Sequence, residues 1–201
     1  MRTVFLAGMA LALAGGAAAA EPETAVFAGG CFWCVEADFD KVPGVTETVS
    51  GYTGGALANP SYEQVSYGGT GHYEAVQITY DADEVSYDEL LRTFWRTVDP
   101  TDAGGQFCDR GESYLTAVFV ANEEQRATAE ASKAEAEKLL GQEIVTPILD
   151  LNEFWPAEEY HQDYYHKNPH RYNYYRWACG RNARVEELWG DEAFAGMVEK
   201  D

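Results

Sequence analysis

An apolar run, Ala25-Val26-Phe27-Ala28, stops at Gly29-Gly30 and passes directly into Cys31-Phe32-Trp33-Cys34-Val35-Glu36. This succession constrains the fold more than any other stretch. It reads as a short buried strand over 24–28, a tight turn, and a helix over 31–39 stopped before Pro43-Gly44. A cysteine at such a junction faces the first backbone N–H groups of the helix, which have no intrahelical partner. The helix dipole there favours an anion, so the Cys31 thiol is expected to titrate below its ordinary value and to act as a nucleophile. The glycines leave room for a substrate to approach the backbone. Cys34 lies three residues on, on the same helical face, within reach of whatever Cys31 becomes.

Strand and helix signals alternate through the rest of the chain. Thr46 to Tyr52 reads as a strand ending at Thr53-Gly54-Gly55, and Asn59-Pro60 as the cap and first turn of a short helix. After a turn over Gly68–Gly71, His72 to Tyr80 reads as a long strand. Ser86 and Glu89 form a capping box, ahead of a stripe made by Leu90, Leu91, Phe94, Trp95 and Val98, with Asp99-Pro100 as the stop. A polar loop over 101–112 holds Cys108 and Asp109. Tyr114 to Val120 reads as a strand, Asn122 to Gly141 as a capped helix, and Ile144 to Leu151 as a strand interrupted by Pro147. From Phe154 the chain fills with Tyr, His and Trp, and reads as a long, irregular C-terminal tail wrapped over the body. Such interleaving predicts a two-layer α/β or α+β sandwich in one domain over 21–201: a mixed sheet with flanking helices and a ferredoxin-like core.

The first twenty residues stand apart. Arg2, the apolar stretch Val4–Ala14 and Ala18-Ala19-Ala20 before Glu21 read as a secretory signal peptide over 1–20, too short to span a membrane. A periplasmic or secreted protein, with no membrane attachment after processing, is expected. The formal net charge of −20 would repel phosphate backbones, so nucleic acid is not an expected partner. For four cysteines in an exported chain, two structural disulfides are the default, more strongly for Cys108 and Cys179 than for Cys31 and Cys34.

Three other groups carry chemistry. Alternation puts Glu74 on the face of Val76, Ile78 and Tyr80, where an apolar setting would keep its carboxyl protonated near neutrality; its place near the strand end equally fits a glutamate facing water. Tyr62 and Tyr114 each offer a hydroxyl to a substrate oxygen. His161, His166 and His170 suggest metal ligation, but the chain holds a single C-x-x-C and Pro169 breaks the second histidine spacing, so neither a metal nor a cofactor is expected. The C-x-x-C also fits a thiol–disulfide exchanger, although Phe32 and Trp33 are bulky for that task.

The stretch Gly-Gly-Cys-Phe-Trp-Cys-Val-Glu resembles the signature of the A-type peptide methionine sulfoxide reductases. The resemblance continues in order through Gly51-Tyr52-Thr53-Gly54-Gly55, Asn59-Pro60-Ser61-Tyr62, Gly71-His72-Tyr73-Glu74-Ala75-Val76, Phe94-Trp95 with Asp99-Pro100, and His166-Lys167-Asn168-Pro169, over about residues 24–172. It implies thiol-dependent reduction of the S-epimer of methionine sulfoxide, free or in proteins. By resemblance Cys31 is the nucleophile, Phe32 and Trp33 hold the substrate methyl group, and Glu74 is the proton donor to the sulfoxide oxygen. Tyr62 and Tyr114 are its hydroxyl partners, with Asp109 nearby. A Cys31 sulfenic acid would then condense with a second thiol, and a thioredoxin-like reductant would reset the enzyme, acting as a monomer on oxidised proteins. The chain departs from the commoner pattern where many members have glycine at Cys34, at Cys108 before Asp109, at Glu112-Ser113, and at Asn173 in place of a recycling cysteine. The resolving thiol is therefore open: Cys34 is the first choice on helical geometry, with Cys179 and Cys108 as alternatives.

Overall fold

The computed structural model describes residues 22–198, so the signal peptide read over residues 1–20 lies outside them. The chain runs β1 (Glu23–Gly29), α1 (Phe32–Phe39), β2 (Val45–Thr53), α2 (Tyr62–Tyr67), β3 (Tyr73–Tyr80) and α3 (Tyr87–Trp95). A small hairpin, β4 (Gly105–Gln106) and β5 (Asp109–Arg110), precedes β6 (Thr116–Val120), α4 (Glu123–Leu140) and β7 (Ile148–Asp150). Then come β8 (Trp155–Pro156), α5 (Tyr164–Lys167), α6 (Pro169–Ala178) and α7 (Arg181–Trp189). One mixed sheet has the order β7-β6-β1-β3-β2-β8. Its β6–β7 pair is parallel and its other pairs are antiparallel.

Local sequence accounts for most element ends. Ser86 and Glu89 close the capping box of α3, and the Asn122 side chain accepts the Gln125 N–H at the start of α4. Gly141 ends α4 in the left-handed region, at φ 65°. Three readings shift. Asn59 does not cap α2: it sits at φ 47°, and the helix starts two residues later, where Ser61 and Gln64 form the capping box. Tyr114 lies in a 3₁₀ turn, Glu112–Tyr114, ahead of β6. The strand read over 144–151 contracts to three residues, because Pro147 has no N–H for the ladder; its carbonyl still accepts Val118 N–H at 3.0 Å.

The core lies on one face of the sheet, where α1 and α3 pack. Phe27 of β1 meets Phe39 of α1 and Phe94 of α3, with ring centroids 5.5 and 4.9 Å apart. Leu90, Leu91 and Trp95 are fully buried beside them, and the Trp95 indole N–H reaches Ser132 of α4 at 3.0 Å. The opposite face carries a smaller cluster of Val26, Ala28, Ala75, Ala117 and Phe119. The result is a two-layer α+β sandwich.

The topology also sets the chemistry. β1 and β3 pair through Phe27↔Val76. Continued by two residues, that register places Glu74 beside Gly29, at the turn into α1. The C-terminal segment is sewn to the other edge of the sheet: Tyr52 pairs with Trp155, and the Gln162 side chain bonds both the N–H and the C=O of Ser50 at 2.9 Å.

Candidate active site

The turn before α1 is built so that nothing larger than glycine fits. Gly30 has φ 78°, and a Cβ there would stand 2.5 Å from the Gln106 Cβ. Gln106 cannot yield, since its buried amide bonds both the N–H and the C=O of Asp99, at 2.9 and 2.7 Å. This turn fixes Cys31 as the N-cap of α1.

A cleft of about 90 Å³ opens at that cap. It brings together Cys31, Phe32, Trp33, Tyr62, Glu74, Asp109 and Tyr114, all singled out in the sequence, and adds Tyr175 from α6. A larger hollow of about 390 Å³ lies between α3 and the C-terminal segment, lined by side chains such as Glu89, Arg96 and Glu192, and no cysteine lines it.

Glu74 is 2 % exposed, so it does not face water. Its Oε2 accepts the Phe32 N–H at 3.0 Å, one of the free donors at the start of α1. Burial pushes its carboxyl up to about 8, against the Phe32 and Tyr114 hydrogen bonds, while Asp109 and Cys34 push it further. Near neutral pH it therefore holds a proton. Tyr62 and Tyr114 line the cleft with Glu74, so an acid and two phenols share one wall. Burial raises both phenols, which remain donors.

The thiols correct one expectation. Burial raises Cys31 well above the ordinary thiol range, and its neighbours Cys34 and Glu74 raise it further; a Tyr175 hydrogen bond acts the other way. Cys34 instead falls to about 7: its hydrogen bond with Cys31 outweighs burial, and the Arg181 and Arg176 guanidinium groups assist. A proton is therefore held more firmly on Cys31 than on Cys34. The helix dipole alone does not decide this, because Cys31 is walled off from water beside a second sulfur and a carboxyl.

The C-terminal segment completes the site. The Trp33 indole stacks on Tyr164, with centroids 3.7 Å apart and planes 7° from parallel, and its N–H bonds His161 Nδ1 at 3.0 Å. His161 is thus spent on orienting Trp33. The Tyr175 hydroxyl donates to Asp109 and also meets Cys31. Burial raises the Asp109 carboxyl, opposed by Tyr175 and by Arg181. Cys108 and Cys179 form a disulfide, so the hairpin turn beside Asp109 is bolted to the end of α6, one turn beyond Tyr175. Cys31 and Cys34 stay free and buried. Tyr175 and His161 were not read as site residues from the sequence. The one usable signal was the spacing of Tyr175 four residues before Cys179, which puts both on one helical face.

The model of the peptide methionine sulfoxide reductase family matches residues 23–193. The chain belongs to this family. The MsrA 2 of Rhizobium meliloti (strain 1021), itself named a peptide methionine sulfoxide reductase, is 59% identical over 181 residues, 90% of each chain. Among solved structures, methionine sulfoxide reductase A of Corynebacterium diphtheriae is similar with a TM-score of 0.66 and 34% identity, covering 74% of this chain and 76% of that one. Mxr1 of Saccharomyces cerevisiae in reduced form gives 0.69 and 30%, with 74% and 86% covered. These relatives place the reductase in the A type. It is an oxidoreductase that reduces the S-epimer of methionine sulfoxide to methionine at the expense of thiols.

Proposed function

We propose that the reaction runs at Cys31 with Glu74 as the acid. The observation that carries this reading is the neutral, buried Glu74 carboxyl in the same cleft as the Cys31 sulfur. A sulfoxide sulfur is a poor electrophile until its oxygen is polarised. Glu74 with Tyr62 and Tyr114 supplies donors where that oxygen gathers negative charge, and Phe32 and Trp33 form the apolar wall for the methyl group. The Cys34 thiolate takes the Cys31 proton as Cys31 attacks sulfur. Glu74 gives its proton to the oxygen, methionine leaves, and Cys31 is left as a sulfenic acid. Asp109 holds Tyr175 against Cys31.

Cys34 is the resolving thiol in this reading. It sits one turn from Cys31, with its N–H on the Cys31 carbonyl at 3.0 Å and both thiols free and buried, whereas Cys108 and Cys179 are bonded to each other. A thioredoxin-like dithiol then reduces the Cys31–Cys34 disulfide; in support, one solved structure of Mxr1 is a complex with Trx2. The segment over 1–20 supports action on oxidised proteins after export, in the periplasm or outside the cell. Conversion of (S)-sulfoxide residues in a protein to methionine residues, with dithiothreitol as reductant, tests the reading. Wild type cycles and Cys31→Ser forms no methionine; with thioredoxin in place of dithiothreitol, Cys34→Ser forms one methionine per enzyme and then stops. Full activity in Cys31→Ser would overturn the assignment.

A further inference from the structure

Beneath Cys34 lies a charged cluster that the steps above leave without a task. Asp38, one turn after Cys34 on α1, is fully buried. Arg176 of α6 meets both of its oxygens, at 2.8 and 3.1 Å. Its remaining donors go to the Tyr172 hydroxyl and to Asn182, at 2.9 and 2.8 Å. Arg176 is therefore satisfied.

Arg181 is not. It opens α7, is 1 % exposed, and makes one hydrogen bond, from Nη1 to the Gly29 carbonyl at 3.1 Å. Its Nε stands 3.9 Å from Asp38, and neither Nε nor Nη2 finds an acceptor among the described residues. A buried guanidinium with idle donors is costly unless an anion faces it. Arg181 also lowers the Asp109 carboxyl of β5, but that carboxylate already takes the Tyr175 hydroxyl. From α7 the Arg181 guanidinium lowers the Cys34 thiol, with Arg176 assisting and burial and Asp38 opposing. The bond to Gly29 ties the same guanidinium to the turn that holds Cys31.

We infer that Arg181 is a positioning residue for the resolving step: its idle donors stabilise the sulfur anion with which Cys34 displaces oxygen from the Cys31 sulfenic acid. The inference rests on the Cys31–Cys34 pairing of the preceding section. In this step the Cys31–Cys34 S–S bond forms and the S–O bond of the sulfenic acid breaks. The Cys34 sulfur is oxidised and the Cys31 sulfur is reduced. The departing hydroxide takes the proton that Cys34 received from Cys31 and leaves as water, so no outside oxidant or reductant enters. Arg181 matters because it keeps the Cys34 anion available as that proton departs.

The test compares Arg181→Gln and Arg181→Lys with wild type. The first readout is the ultraviolet thiolate titration of resting reduced enzyme, taken as the difference from the matching Cys34→Ser protein. The second is the rate of disulfide formation in a single turnover without reductant, with dimedone trapping the sulfenic acid. Arg181→Gln should move the titration midpoint up by about one pH unit, and slow disulfide formation by roughly tenfold near neutrality with recovery at alkaline pH. Arg181→Lys should restore most of both. A rate that is unchanged, or lowered by the same factor at every pH, would overturn the role, as would an Arg181→Lys enzyme as slow as Arg181→Gln. An unshifted titration would sink the Arg181 role alone. Absence of a Cys31–Cys34 disulfide from the wild type would sink the pairing itself and this role with it.

Discussion

Glu74 shows how far one side chain's chemistry depends on its surroundings. Its own strand presents it among Val76 and Ile78, but packing from α1 and from the segment carrying Asp109 and Tyr114 dries it and lifts its carboxyl to about 8. The Phe32 N–H fixes one oxygen, so the group is aimed as well as neutral. Glu74→Gln is expected to lower kcat by about 10²-fold with little change in KM, since a proton donor acts in the transition state. In the wild type the rate should fall as pH rises through about 8, where Glu74 ionises, and the glutamine variant should lose that limb; steady-state pH profiles check both. Cys31, Phe32 and Trp33 were legible because they adjoin in the chain. The burial of Glu74 was not, because the segment carrying Asp109 and Tyr114 is remote in sequence and carries no periodicity that fixes where it lands.

At the scale of elements, α1 holds a second displaced carboxyl. Glu36 is 1 % exposed, and its Oε1 accepts the Asp163 N–H at 3.1 Å, tying the helix to the C-terminal segment. Burial raises it to about 7, against that hydrogen bond. A carboxyl raised above its unfolded value of 4.5 stabilises the fold fully below that value and loses the contribution as pH climbs to about 7. The loss is on the order of 3 kcal/mol. Glu36→Gln keeps an acceptor for Asp163 and should flatten this part of the stability profile, as read by denaturant unfolding across that window; the part due to Glu74 remains. Element ends with side-chain caps, such as Ser86 with Glu89 and Asn122 with Gln125, were readable because their partners lie within four residues. Asn59 misled because an asparagine that tolerates positive φ looks the same in sequence as one that caps. Pro147 was flagged, but how much of the strand survives it depends on β6.

Across the whole molecule, the active site is closed by residues far apart in sequence. The sheet supplies Glu74, the turn after β1 supplies Cys31, and the segment beyond β8 supplies His161, Tyr164 and Tyr175. The Cys108–Cys179 bond, spanning 71 residues, fastens that segment to the hairpin. Its pairing could not be read from four cysteines alone, since spacing does not reveal which loops meet. Cys108→Ser with Cys179→Ser should cost about 2–4 kcal/mol in denaturant unfolding, yet still turn over with dithiothreitol, because neither sulfur lines the cleft. The central claim is that the chemistry and its reset both belong to Cys31 and Cys34, with the other pair as a fastening. A peptide-level disulfide map after one turnover, with sulfoxide in excess and no reductant, tests it most directly. The expected map holds Cys31–Cys34 and an unaltered Cys108–Cys179. A bond from Cys31 to Cys108 or Cys179 would contradict it.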